Sequence, residues 1–236
     1  MRAIFFDWDH TLQNLDVAYP QALQAAWAPV CEPAGVSVAT LRRMLDAAWP
    51  AWWQALLAGE VRPDALYSHW FAEALEEVGC PLPSAEVAER AAAYEAAFEQ
   101  HLELYDDVLP TLQDLRANHP NVTLGILTNG PSERQRRRIA RWGLEHWVPH
   151  CVISEEVGSR KPDAPIFEFA LASAQVAPAE AVMVGDDPVT DMGGAQGAGL
   201  GAVWLNRLGR PWPAHLPPPD GTLAGLSSLT NWLRRL

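Results

Sequence analysis

The sequence predicts an α/β fold whose parallel sheet is interrupted early by an all-helical insertion. Three observations carry this. Apolar runs of strand length recur at Ala3-Ile4-Phe5-Phe6, at Val122 to Leu127 and at Ala181-Val182-Met183-Val184. From residue 108 onward helix-like and strand-like segments alternate, the pattern of a parallel sheet with helices on both faces. Between residues 14 and 107 the strand-like runs vanish, and Ala, Leu, Glu and Trp recur at helical spacing. The expected organisation is a core of residues 1–13 and 108–236 with a helical domain of residues 14–107 inserted into it.

Taken in order, residues 2–6 read as a buried strand. Helices are expected at about 19–31, 38–58, 64–78 and 84–103. Pro50 should kink or end the second, and Pro81 and Pro83 break the chain before a fourth that starts near Ser84. A helix at about 108–118 leads to strand 122–127, and one at about 132–142 leads to a short strand, Cys151-Val152-Ile153. A helix at about 163–176 leads to strand 181–184, and one at about 189–198, closed by Gly199, leads to strand 201–205. The Pro-rich stretch 209–220 is expected to be irregular and 225–235 to form a last short helix.

Composition narrows the function. The 236 residues are 49% hydrophobic and 19% charged, which suits a soluble globular protein with a sizeable core. A net charge of -12 argues against a nucleic-acid polymer as partner, and means that an anionic ligand must be held by a local positive site. Three cysteines without a Cys-x-x-Cys pair predict neither a disulfide framework nor a zinc site. No apolar run of membrane-spanning length occurs, so no membrane partner is expected and a cytoplasmic location fits. A monomer or homodimer is expected. The eleven Trp read as packing residues.

The chemistry-bearing residues follow the strands. Ligands bind at the carboxyl edge of a parallel sheet. There the sequence places Asp7-Trp8-Asp9-His10-Thr11, Thr128-Asn129, and Gly185-Asp186 with Asp191 behind; Lys161-Pro162 comes between the last two. In an extended segment residues i and i+2 point the same way, so Asp7 and Asp9 can face one site. Two carboxylates allow one to attack phosphorus while the other protonates the leaving oxygen and then activates water. Two unit charges 4 Å apart repel by about 4 kcal/mol at an effective dielectric of about 20, so such a site requires cations. Asp7, Asp186 and the backbone carbonyl of Asp9 offer hard oxygens suited to Mg²⁺. Thr128 and the following N–H groups suit phosphate oxygens, Asn129 suits the phosphate or the inserted domain, and Lys161 suits phosphate and Asp7. Asp191 is expected behind the metal ligands, with Asp187 as a helix cap or a competing acid. His10 is expected beside substrate or in a supporting position. The basic run Arg134, Arg136, Arg137, Arg138 and Arg141 reads as a solvated helix face.

These four segments, in this order, resemble the haloacid dehalogenase (HAD) superfamily of Mg²⁺-dependent phosphohydrolases. The resemblance covers roughly 1–13 and 108–206. It implies a Rossmannoid core with a helical cap that excludes water and selects substrate. It also implies Asp7 as nucleophile, Asp9 as general acid and base, Thr128 and Lys161 as phosphate ligands and Asp186 as a metal ligand. Two departures stand out: His10 replaces the usual Gly or Asn, and Asp187 is an additional acid beside Asp186. The stretch from Thr128-Asn129-Gly130 to Trp204-Leu205-Asn206 is similar to bacterial pyrimidine 5′-nucleotidases and to N-acylneuraminate-9-phosphatases. The expected substrate is a small phosphate ester, first a nucleoside 5′-monophosphate. The alternatives are sugar phosphates or phosphoglycolate, a phosphomutase reaction, and 2-haloacid dehalogenation. The last needs no second acid and no Mg²⁺, so Asp9 and the acidic fourth segment weigh against it. A noncatalytic protein on the same fold is disfavoured by intact Asp7, Asp9, Lys161 and Asp186.

Overall fold

In the computed structural model, which describes residues 1–62 and 65–235, the chain forms two compact units. One is Met1–Asn14 together with the chain from Leu104 onward; the other is Leu15–Glu103. The chain begins with β1 (Ala3–Phe6) and the short β2 (Gln13–Asn14). Four helices follow: α1 (Leu15–Cys31), α2 (Val38–Leu57), α3 (Leu66–Glu77) and α4 (Ser84–His101). The short β3 (Glu103–Leu104) pairs with β2. Then come α5 (Val108–Asn118), β4 (Thr123–Thr128), α6 (Ser132–Arg141), β5 (His150–Ile153), α7 (Ser154–Val157), α8 (Ala164–Ala174) and β6 (Ala181–Gly185). A π-helical turn (Pro188–Gly193) runs into α9 (Gly194–Gly197), and β7 (Gly201–Leu205), β8 (Gly221–Leu223) and α10 (Leu229–Leu233) complete the chain.

The main sheet is parallel throughout, in the order β5-β4-β1-β6-β7-β8. Parallel strands covered on both faces are apolar without a break, and β1 is an example, with all four residues buried. Alternation divides its side chains. Ile4 and Phe6 join Val182, Val184, Val203 and Leu205 on one face, under Leu112 and Leu115 of α5 and Ile139 of α6. Ala3 and Phe5 join Met183, Ala202 and Trp204 on the other, under Ile166, Phe167 and Ala170 of α8. β1 lies between β4 and β6, so successive connections run to opposite sides of it. That reversal opens a crevice at the carboxyl ends of β1, β4 and β6. The register places Phe6 beside Ile126 and Val184, so Asp7, Thr128 and Asp186 follow at neighbouring strand ends.

The helical unit has its own core, in which Leu23, Trp27, Leu41, Leu45, Trp70, Phe71 and Tyr94 are buried. Ser37 caps α2 by accepting from the Thr40 N–H at 3.1 Å, and the Trp70 indole donates to the Leu45 carbonyl at 2.9 Å.

Several expectations need correction. Pro50 does not end α2, which continues to Leu57. An internal Pro costs a helix about 3 kcal/mol, and beside it Trp49 packs against Trp70 and Tyr67 of α3. α1 begins four residues before the expected start, at Leu15, and carries Pro20 and Pro29 inside it. The helix expected at 189–198 is a π-helical turn followed by one α-helical turn. The fourth helix stops at His101, because Glu103 and Leu104 turn extended to form β3. Residue 64, expected to open the third helix, and residue 236, expected to end the core, lie outside the described residues. β8 and α7 were not expected.

Candidate active site

Each acid is delivered by a strand end. Asp7 directly follows β1, and its N–H donates to the Val184 carbonyl at 2.9 Å, which extends the ladder by one residue. Asp186 directly follows β6. Asp191 returns from the π-helical turn, and Gly185 makes room for it: a Cβ there would collide with the Asp191 carboxylate. Carboxylate oxygens of Asp7, Asp186 and Asp191 all lie within 4.8 Å of one another.

Lys161 joins two of them. Its Nζ donates to Asp7 Oδ1 and to Asp191 Oδ1, both at 2.6 Å, and its side chain is 2% exposed. Burial alone pulls the ammonium's pKa down, but the Asp191 and Asp7 charges outweigh it and hold the proton on. Asn129 fixes the lysine's main chain, with Nδ2 donating to the Lys161 carbonyl and Oδ1 accepting from its N–H, each at 2.9 Å. Asn129 therefore reaches the site by positioning Lys161. Thr128, which ends β4, is 1% exposed, and its hydroxyl donates to the Asn129 carbonyl at 3.3 Å.

Three carboxylates around one ammonium, with the Arg210 guanidinium against Asp186, leave one negative charge in excess when all are ionised. The titration behaviour reflects this. Asp7 is raised well above its ordinary value, first by burial and then against the pull of Lys161. Asp186 is pushed up to about 6, first by burial and next by the Asp191 charge. A buried set of hard oxygens with excess negative charge fits a divalent cation of the Mg²⁺ type.

The two further acids of the fourth segment, Asp187 and Asp191, take different positions. Asp187 turns away: its carboxylate accepts from the N–H groups of Val189 and Thr190 at 2.8 and 2.7 Å and caps the π-helical turn. Asp191 faces inward, 1% exposed, with Oδ2 accepting from the Asp187 N–H at 3.0 Å.

Asp9 stands slightly apart and about one-third exposed. Gln13 Nε2 donates to its Oδ1 at 2.9 Å and Gln135 Nε2 to its Oδ2 at 3.1 Å. His10, next in sequence, adopts a left-handed backbone with φ 61, a conformation in which Gly and Asn are at ease. Arg210 reaches Asp186 Oδ2 at 3.2 Å from the loop after β7.

The basic run departs from expectation at one residue. Arg136 pairs with Glu156 and Arg137 lies near Glu133, both on the surface. Arg138 is buried, 3.9 Å from Asp9 Oδ1. It shares the inward face of α6 with Gln135 and Ile139, set by the i, i+3, i+4 spacing. Gln13, Gln135, Arg138 and Arg210 escaped the sequence reading. The inward spacing of Gln135, Arg138 and Ile139 was the one available signal.

Residues 1–199 match the haloacid dehalogenase-like hydrolase family. The chain belongs to that family. Among HAD-like hydrolases, it is 34% identical to a phosphoserine phosphatase of Thermus thermophilus over 92% of this chain and 74% of that protein. It is 41% identical to the pyrimidine 5′-nucleotidase YjjG of Escherichia coli, a match that spans 50% of this chain and 53% of that protein. It is 33% identical to the N-acylneuraminate-9-phosphatase of Mus musculus over 73% and 69% of the two chains. The solved HAD-hydrolase YfnB of Bacillus subtilis, bound to magnesium, shares the fold with a TM-score of 0.78 over 98% of both chains at 24% identity. A 2-haloacid dehalogenase of Pseudomonas syringae is 30% identical over 100% of this chain and 99% of that one, with a TM-score of 0.66. The phosphatase-named relatives support a phosphatase among the HAD-like hydrolases. Among the described residues no helix is long and apolar enough to cross a membrane.

Proposed function

We propose that this protein is a Mg²⁺-dependent phosphomonoesterase that works through an aspartyl-phosphate. The observation that carries this reading is the buried Lys161 ammonium shared by Asp7 and Asp191, with the Asp186 carboxylate beside them. An Asp7 oxygen attacks phosphorus, and the bond from phosphorus to the ester oxygen breaks. Asp9 gives its proton to that departing oxygen, then takes one from the water that cleaves the aspartyl-phosphate. Lys161 holds Asp7 in place and offsets its charge, and the Thr128 hydroxyl and the N–H groups that follow it receive phosphate oxygens. Asp7, Asp186 and the Asp9 backbone carbonyl would hold Mg²⁺, with Asp191 setting the lysine behind them. When bound, the cation lowers the repulsion between the phosphate and Asp7.

The substrate is assigned as a small phosphorylated metabolite, with a nucleoside 5′-monophosphate as the leading candidate on the similarity to YjjG. Residues 15–103 are assigned the part of a substrate-selecting cap, because they are inserted directly after the segment that carries Asp7 and Asp9. Halide displacement is the second reading, favoured by the dehalogenase neighbour at 30% identity. It gives Asp9 nothing to do. The deciding assay measures phosphate release from nucleoside monophosphates, phosphoserine, sugar phosphates and phosphoglycolate, with and without Mg²⁺. Mg²⁺-dependent release supports the reading. Release of halide from 2-haloacids and of no phosphate from any ester overturns it.

A further inference from the structure

Gln135 has a hydrogen-bonding pattern that folding alone does not explain. Its side chain is buried at 2% exposure on the inward face of α6. The Nε2 group faces three acceptors, Asp9 Oδ2 and Thr128 Oγ1 at 3.1 Å and the Asn129 carbonyl at 3.2 Å. The other half of the amide, Oε1, is buried with no hydrogen-bond partner among the described residues. Turning the amide over would set Oε1 against a carboxylate and a carbonyl, so the donating orientation is the one the chemistry allows. A buried carbonyl without a partner costs stability. An apolar side chain of similar shape would avoid that cost but leave the Asp9, Thr128 and Asn129 acceptors without the amide. Gly130 adds to the fit, because a Cβ there would lie 3.2 Å from Gln135 Nε2.

We propose that Gln135 is a positioning residue for proton transfer by Asp9. Its amide fixes the Asp9 carboxylate and ties it to the Thr128 hydroxyl, so that the acid and a phosphate-holding group keep one geometry. This rests on the phosphomonoesterase reading above. Asp9 projects from the loop after β1 and is about one-third exposed, and besides the Gln135 amide its carboxylate meets Gln13 Nε2 at 2.9 Å and the Arg138 guanidinium at 3.9 Å. The effect acts on leaving-group protonation, because misplacing a catalytic group lowers the rate of the step it serves. Phosphorylation of Asp7 by esters whose leaving oxygen needs a proton should slow, phosphorylation by aryl phosphates, whose phenolate leaves unaided, should not, and hydrolysis of the aspartyl-phosphate, for which Asp9 is the base, should slow for both.

The test uses the full chain with Mg²⁺. Gln135→Met keeps the length and removes the amide. Gln135→Glu keeps the shape and replaces the donor by an acceptor. For both, phosphorylation of Asp7 by an alkyl phosphate that the parent hydrolyses, read in a single turnover, should slow by about 10-fold or more, while the first-turnover release of 4-nitrophenolate from 4-nitrophenyl phosphate stays within about 3-fold and its steady-state turnover falls with aspartyl-phosphate hydrolysis. Equal single-turnover losses on the two esters, or no loss in either variant, would overturn the positioning role and make Gln135 a structural residue. Absence of Mg²⁺-dependent release by the parent itself would overturn the phosphomonoesterase reading and this proposal with it.

Discussion

The Asn129 side chain makes two hydrogen bonds to the main chain of Lys161, one to the carbonyl and one from the N–H, each at 2.9 Å. A residue at the end of β4 thereby fixes a loop lysine 32 positions later in the chain. The lysine's ammonium then reaches Asp7 and Asp191 from a held backbone. Asn129→Ala should therefore lower kcat by about 10- to 100-fold, since small misplacements of a catalytic group are costly. The stability loss should stay near 1 kcal/mol per lost hydrogen bond. Steady-state kinetics beside thermal melting check this, and unchanged kcat would remove Asn129 from the site.

Asp9→Asn should separate the leaving groups more sharply than any neighbour. Removal of a general acid costs about 10²- to 10⁴-fold; in the phosphorylation step, read in a single turnover, the loss should fall on alkyl phosphates rather than aryl ones, while hydrolysis of the aspartyl-phosphate slows for both. Equal single-turnover losses on both would assign Asp9 to binding instead of proton transfer.

Gly185→Ala should injure the site through Asp191. The new methyl group would occupy the space of the Asp191 carboxylate. The expected cost is about 1–3 kcal/mol of stability, as for other overpacked positions, with weaker Mg²⁺ binding in a titration followed by calorimetry. A variant with parental stability and parental affinity would show that Asp191 can move without consequence.

Stabilisation by Mg²⁺ should depend on pH in a definite direction. Asp186 is raised from 3.8 to about 6, by burial first and the Asp191 charge second. A carboxyl raised in the folded state favours folding while it is protonated. Its contribution is full below the ordinary carboxylate range and is lost as pH rises through about 6. Mg²⁺ binds the ionised form, so its stabilisation should grow over the same window. A cation at 100 times its Kd adds about 2.7 kcal/mol. Melting curves with and without Mg²⁺ should show a larger shift at pH 8 than at pH 5. An equal shift at both values would exclude the Asp7, Asp186 and Asp191 cluster as the binding site.

Residues tied to strand ends were legible in the sequence, and residues that act across elements were not. Asp7, Thr128 and Asp186 each follow an apolar run, so the period of the chain itself points to them. Gly185 and the spacing to Asp191 carried the inward return of that acid. Gln135 and Arg138 were hidden because a run of arginines on a helix reads as surface, and burial of α6 on one face is a tertiary fact. Asn129 was noticed for its chemistry, but its partner could not be: a side chain paired with a distant backbone leaves no mark in spacing. Of the two outcomes expected at Pro50, a kink or an end, the end does not occur: α2 runs on to Leu57 while Trp49 packs on Trp70 within the helical unit.

The central claim, that Asp7 becomes phosphorylated, is tested most directly by acid-quench mass spectrometry of the protein turning over an aryl phosphate. The account predicts a phosphoryl group on the peptide that carries Asp7, dependent on Mg²⁺ and absent from Asp7→Asn. Mg²⁺-dependent turnover with that phosphoryl group on another residue, or undiminished turnover by Asp7→Asn, would contradict it.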